Sequence, residues 1–351
     1  MKATIRFHYE WPRFVLFGTL VTHLLGGSAG REGTAIQMGG SLAETLGRTL
    51  RVNAKDRKML LICGISGGFG SIFGTPIAGA VFGLEVLTIG LISYEALIPA
   101  FIASMVGNLV TTSFWGVQHI HFHVNAVPDF SLGVATKVVL ASIIFGLISL
   151  VFSELTHFLK KMYAKIFKSP MLKSACGSLL IIGLVYAVGT REYLGLSVPL
   201  IQSSFDGEIT MLAFLWKLIF TSLTLGAGFQ GGEVTPLFGI GATLGHTLAG
   251  VLGLHAPFLA SLGFIAVFCG ATSTPIACFI MGIELFGAEG AEYLFIASIV
   301  SYLASGHTGI YTSQKIAISK VQSVQVPEGA TLMTVKELKT RASERQKDNG
   351  S

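Results

Sequence analysis

The chain has 351 residues, 51% of them apolar and only 12% charged, with 43 glycines and a mean hydropathy of +0.68. An ordinary soluble domain carries about 25% charged residues, so a secreted disulfide scaffold, a nucleic-acid binder and a disordered protein are excluded in favour of a polytopic membrane protein. The net charge is +5, but the basic residues gather in short runs between apolar segments, as in cytoplasmic loops that follow the positive-inside rule.

The first residues, among them His8, Glu10, Trp11, Pro12 and Arg13, lack the apolar core and small-residue cleavage site of a signal peptide. Residues 1–13 read as an amino-terminal segment, and the first span directs insertion. Apolar segments follow at 14–30, 59–72, 76–93, 96–117, 133–157, 172–190, 210–228, 234–253, 256–270 and 275–304. A straight crossing needs about 20 residues. Several of these segments are too short or too glycine-interrupted for that, which predicts broken and re-entrant helices whose backbone is buried in protein or faces a wet cavity.

Loop charge gives the orientation. The runs Arg48, Arg51, Lys55, Arg57, Lys58 and Lys160, Lys161, Lys165, Lys168, Lys173 are expected inside, and residues 116–128, which contain no Lys or Arg, outside. His119, His121 and His123 in that outer loop alternate and could bind zinc or copper; with Asp129 as the only acid nearby, a solvated loop is the preferred reading. Cys63, Cys176, Cys269 and Cys278 form no C-x-x-C pair and read as small buried hydrophobes. Gly64, Gly67, Gly68 and Gly70 have no preceding strand or following G-K-[ST], so they read as helix packing rather than a nucleotide loop. No metal or cofactor is expected, and no paired catalytic groups suggest an enzyme. Residues 317–351, polar and containing Pro327 and Gly329, read as a cytosolic tail.

An internal repeat organises the whole. TPIAGAVFGLE at 75–85 returns as TPIACFIMGIE at 274–284, and GREGT at 30–34 returns as GGEVT at 231–235, aligning Glu32 with Glu233 and Thr34 with Thr235. The chain is read as two related halves, 14–130 and 131–316. Whether they are parallel or inverted stays open at this point, but paired short, glycine-interrupted segments point to a transporter with its site at the repeat interface. Glu85 and Glu284 occupy equivalent positions in apolar helices. A helix cap and a proton station are both open for them, the cap being preferred.

The glycine motifs carry the chemistry. A helix that starts inside the membrane near Glu32 presents unpaired N–H groups and a partial positive charge, an anion site without a formal cation. GGEVTP at 231–236 repeats the arrangement, with proline tolerated at a helix opening, so both helix starts could converge on one anion. Glu32 is itself an anion. It could fill the ion position when ionised and leave when protonated, which links proton and anion binding. The alternative, that Glu32 and Glu233 only favour the first turns of their helices, is held even for Glu233 and is the weaker reading for Glu32.

GSAGREG at 27–33, GGEVTP at 231–236 and Gly309-Ile310-Tyr311 resemble the three signatures of the CLC family of chloride channels and proton-coupled anion antiporters. The resemblance implies an all-α fold with a two-half inverted repeat of broken and re-entrant helices, a homodimer with one pore per subunit, and a halide held by helix N-termini. It places Glu32 on the gating glutamate, Glu233 and Val234 where backbone amides hold the central anion, and Tyr311 where a hydroxyl closes the inner end. Gly30, Arg31, Gly33, Thr34, Gly232 and Thr235 complete the expected anion-binding set. Thr34 and Val234 stand where most chloride-selective members have Pro and Phe, and GREGT with GGEVTP is similar to the bacterial fluoride/proton antiporter branch. Glu85 aligns with the first of two adjacent acids in many chloride antiporters, and the second is Val86 here, so any proton route differs. The Thr235 hydroxyl suits a small, strongly hydrated ion, although capping of its own helix is an equal alternative.

Family members have helices with a Gly/Ser-Pro loop before the first motif, whereas 30 residues precede Arg31 here and no such loop is found. The first helices are therefore expected to be lacking. The reading is a multi-pass protein of the inner (plasma) membrane that moves fluoride or chloride with protons, by antiport or channel-like conduction, as a homodimer and without nucleic-acid partners. The alternative is a transport-incompetent subunit with only an assembly role.

Overall fold

Proline and glycine, more than the length of the apolar runs, decide where the helices begin and end. Pro76, Pro170 and Pro275 each open a helix, where the missing N–H would have no partner. Gly74, Gly189 and Gly253 close helices with left-handed φ of 70°, 78° and 61°. The computed structural model describes residues 11–335 except 120, 121, 123, 125, 321–326 and 328. His121, His123 and the end of the predicted tail lie outside the described residues.

The described residues form α1 (Trp11–Leu24), α2 (Glu32–Thr49), α3 (Ala54–Phe73), α4 (Pro76–Glu85), α5 (Leu97–Leu109), α6 (Leu132–Ile166), α7 (Pro170–Val188), α8 (Val198–Asp206), α9 (Ala213–Gly226), α10 (Val234–Leu252), α11 (Ala256–Thr272), α12 (Pro275–Phe286) and α13 (Ala291–Ala304). A 3-10 turn, Tyr94–Ala96, and a π turn, Val110–Phe114, flank α5. Four helical stretches, Tyr94–Phe114, α6, α7 and α10, are long and apolar enough to cross a membrane. Most of the others are shorter, as the glycine interruptions predict. α11 is apolar all round and buried along almost its whole length at the centre of the core.

Three elements depart from the sequence reading. α2 was not among the predicted spans, because its glycines, threonines, Gln37 and Glu44 lower its hydropathy; it is helical because it packs between α1, α3 and α10. The predicted segment 275–304 is two helices, broken at Gly287 and Gly290, whose φ values of 94° and 72° a side chain would resist. Part of the predicted tail folds back: just ahead of it β2 (Lys315–Ile316) pairs in parallel with β1 (Thr88–Ile89), and Ala330, Leu332 and Val335 of the tail bury against Ile89 and Ile316.

Both motif helices are locked to their successors by facing glycines. A Cβ on Gly39 of α2 would strike the Gly64 carbonyl oxygen of α3, and a Cβ on Gly64 would strike that of Gly39. Gly241 of α10 and Gly263 of α11 stand in the same relation. Gly67 and Gly68 likewise face the carbonyls of Ala103 and Ala35, which is close helix packing.

The repeated TPIA helices cap each other. Glu284, near the end of α12, accepts hydrogen bonds from the amides of Ile77 (3.0 Å) and Ala78 (2.7 Å) at the start of α4. Glu85, at the end of α4, accepts from Ile276 (3.3 Å) and Ala277 (3.0 Å) at the start of α12. Each carboxylate thus serves two orphan amides of the other helix. Glu284→Ala is expected to cost about 1–2 kcal/mol, the value of a lost N-cap, while Glu284→Gln, which keeps one acceptor oxygen, costs less. Thermal unfolding in detergent measures both. A Gln variant with unchanged stability and no proton transport would instead make the residue a proton station.

Candidate functional site

The first motif is held in place before it reaches the helix. Gly26 turns the chain with a φ of 77°, and the Ser28 hydroxyl donates to Tyr193 O at 2.8 Å. Lys217, fully buried on α9, clasps the same point: its ammonium donates to Ser28 Oγ (2.8 Å), Tyr193 O (3.0 Å) and Gly195 O (2.9 Å). A buried lysine is tolerated when its donors are met in this way. It ties the 27–33 loop of the first half to the second half.

The two glycine motifs meet. Gly30 N–H donates to Gly232 O at 2.7 Å and Gly232 N–H to Gly30 O at 2.6 Å, a two-residue antiparallel bridge that sets the starts of α2 and α10 side by side. Gly33 makes the approach possible, since a Cβ there would come within 3.1 Å of Gly232 Cα. The bridge also changes the donor set. The amides of Gly30 and Gly232, expected to hold an anion, are spent on each other in this state, which leaves the first-turn amides of Gly33, Thr34, Val234 and Thr235, for which a helix offers no carbonyl.

Glu32 sits at this junction, buried to 8% exposure. Its Oε2 accepts from the Arg31 amide at 2.9 Å and from the Thr235 hydroxyl of the opposite motif. Thr235 therefore does not cap its own helix; its hydroxyl crosses to Glu32. The Arg31 guanidinium is exposed, with Nε 3.9 Å from the Glu32 carboxylate. Thr34 turns its hydroxyl to Thr19 of α1 (3.0 Å), and Val234 is buried. A carboxylate from one half, held by a donor from the other, thus occupies the space beside two helix N-termini.

Tyr311 and Gln37 line two cavities below this junction. One, of about 510 Å³, is mainly apolar and reaches Lys58 and Lys315. The other, of about 370 Å³, is polar and bounded by Gly33, Val234, Glu233, Lys160 and Lys173. The Glu233 side chain turns into the second cavity and pairs with Lys160 of α6, Nζ to Oε1 at 3.0 Å.

Sequence reasoning missed Lys217 as a tie and Lys160 as the partner of Glu233. Lys217 left a signal, as the one charged residue in the apolar segment 210–228. Lys160 left none, because its run reads as ordinary loop charge. His119, the described member of the histidine loop, lies against Gly74.

The family profile described as "Voltage gated chloride channel" matches residues 7–306. A chloride/fluoride channel protein of Pseudomonas syringae pv. tomato is 46% identical over 341 residues, 95% of this chain and 75% of the relative. An H(+)/Cl(-) exchange transporter of Vibrio parahaemolyticus is 26% identical, covering 79% of this chain and 62% of the relative. The crystal structure of a CLC-type fluoride/proton antiporter superposes with a TM-score of 0.86 at 36% identity, over 90% of this chain and 79% of that one. A slow cyanobacterial Cl-/H+ antiporter shares the fold, with a TM-score of 0.70 at 18% identity, over 87% of this chain and 74% of that one.

Proposed function

Because the chain belongs to the voltage gated chloride channel family, a family of multi-pass membrane proteins, we propose that it transports a small halide across the membrane by proton-coupled antiport, fluoride first and chloride second. The observation that carries this reading is the junction itself: the Glu32 carboxylate lies between the starts of α2 and α10, held by Arg31 N–H and the Thr235 hydroxyl. A halide needs the same kind of donors. When Glu32 takes a proton it gives up its claim on them, and the amides of Gly33, Thr34, Val234 and Thr235 are free to hold the ion. The ionised carboxylate and the halide then exclude each other at one place, so that proton binding and halide binding are linked there, which is the elementary requirement of coupling.

The relatives named above support the choice of ion, as does Thr235. Fluoride gives up its water only for short, strong hydrogen bonds, and a hydroxyl supplies one that an apolar side chain lacks. Thr235→Val is expected to raise the half-saturating fluoride concentration about tenfold or more, the worth of one hydrogen bond to a charged group, while Thr235→Ser stays close to the wild type. Efflux of fluoride and chloride from loaded liposomes, recorded together with pH, tests both variants and the transport reading itself. Wild-type protein that moves neither halide would overturn it.

Tyr311 lines the inner approach and adds a hydroxyl from the basic face, which the positive-inside rule puts in the cytosol. The halves 14–130 and 131–316 each contribute one helix start to the junction. An assembly-only subunit would have no use for a buried carboxylate at that point. Family likeness further supports a homodimer with one pathway per subunit in the inner (plasma) membrane.

A further inference from the structure

Glu233 poses a problem for an anion pathway. Its carboxylate stands one residue before Val234, whose amide is among those left for the ion, and it lines the polar cavity shared with Lys160 and Lys173 of the basic face, a way in for a halide from that side. An uncompensated carboxylate there would repel every anion that entered. Lys160 answers it at 3.0 Å.

The position of Lys160 is built into the fold. α6 is 35 residues long, about 52 Å at 1.5 Å per residue, so its last turns extend past the apolar layer. Those turns are fastened to the end of α9: Thr156 Oγ1 meets Ser222 Oγ at 3.0 Å, and Leu159 and Tyr163 bury against Ala227. Gly226 admits Leu159, since a Cβ on Gly226 would lie 2.8 Å from Leu159 Cβ. The Lys160 backbone is thereby fixed at the cavity mouth while its side chain remains 41% exposed, against 16% for Glu233. The ammonium can move; the carboxylate is the more enclosed partner.

The rest of the cavity suits a hydrated anion. Lys173 brings its Nζ to 3.2 Å from where a Cβ on Gly228 would stand, and Gln37, Gln230 and Tyr311 complete a polar lining. Its volume of about 370 Å³ compares with about 30 Å³ for each liquid water, room for a halide with part of its first shell. We propose that Lys160 is a second anion station, which exchanges its ion pair with Glu233 for a small monovalent anion arriving from the basic face and holds that anion before it reaches the amides of Gly33 and Val234. An ammonium offers three donors and no acceptor, so it replaces lost water for the halide, and Glu233 reclaims it once the ion has moved on. Glu233 is thus a stand-in for the halide at the mouth, as Glu32 is at the junction.

The inference rests on the halide-transport reading, and the experiment separates the two. Initial halide efflux from proteoliposomes is measured against lumenal halide concentration for the wild type, Lys160→Met, Lys160→Arg, Glu233→Gln and the Lys160→Met/Glu233→Gln pair, with thermal unfolding of each in detergent. The expected results are a half-saturating concentration about tenfold higher in Lys160→Met and near the wild type in Lys160→Arg. In Glu233→Gln, where the ammonium has no competitor, it falls below the wild type. In the double variant it stays several-fold above the wild type, because no ammonium remains.

If Lys160 only neutralised Glu233, the double variant would return to the wild-type value, and that result overturns the proposal. So does a Lys160→Met protein with lowered maximal rate and stability but unchanged half-saturation. Absence of halide flux from the wild type would overturn the transport reading instead, and the station with it.

Discussion

Glu32→Gln is expected to abolish proton movement coupled to halide and to remove the pH dependence of whatever halide flux remains. Glutamine keeps the shape and can still accept from Arg31 N–H and the Thr235 hydroxyl, the two groups that hold Oε2 now. It cannot be an anion and cannot carry a proton. On the proposed mechanism both halves of the exchange are lost together, because it puts them on one carboxylate, set where two helix N-termini would otherwise hold the ion. Simultaneous recording of halide and pH from loaded liposomes measures this, and a variant that still drives protons in step with halide would show that the coupling group lies elsewhere.

Gly241→Ala is expected to damage stability and transport at once. Its methyl would strike the Gly263 carbonyl oxygen, and neither backbone can yield without parting α10 from α11. Overpacking of this kind costs about 1–3 kcal/mol, and sometimes more. α10 also begins with Val234 and Thr235, so a shift of its axis displaces the Thr235 hydroxyl from Glu32 and the helix start from the proposed halide site. Gly250, on the same helix with open space around its Cβ position, provides the control: Gly250→Ala should be neutral or gain up to about 1 kcal/mol from helix propensity. Thermal unfolding and efflux rates distinguish them. Equal behaviour of the two variants would mean that the α10–α11 contact is looser than the structure shows.

What could be read from sequence was whatever carries a repeated or punctuated pattern. The two TPIA copies and the two Gly-Glu-Thr motifs marked the helices that meet, and the Gly30–Gly232 bridge joins the residues that the repeat aligns within one position. Glu85 and Glu284 left a cap and a proton station both open, and their four amide hydrogen bonds decide for the cap in this state. α2 was not legible as a span, because hydropathy records the polarity of Thr34, Gln37 and Glu44 but not the burial that neighbours provide. Lys160 and Lys217 were illegible as partners for a related reason: Glu233 lies 73 residues from Lys160 and the Ser28 hydroxyl 189 residues from Lys217, and no local pattern carries those distances. The buried part of the predicted tail was hidden by its polar surroundings, since the few apolar residues between 330 and 335 gain meaning only beside Ile89 and Ile316.

The proposed exchange requires a carboxylate and a halide to compete for the same pair of helix starts. Calorimetric titration of fluoride into the detergent-solubilised protein, wild type beside Glu32→Ala, over a series of pH values tests it most directly. Competition predicts that wild-type affinity falls as pH rises and the carboxylate ionises, and that Glu32→Ala binds one fluoride per chain with an affinity that no longer follows pH. Wild-type affinity that is flat with pH and equal to that of Glu32→Ala would contradict it.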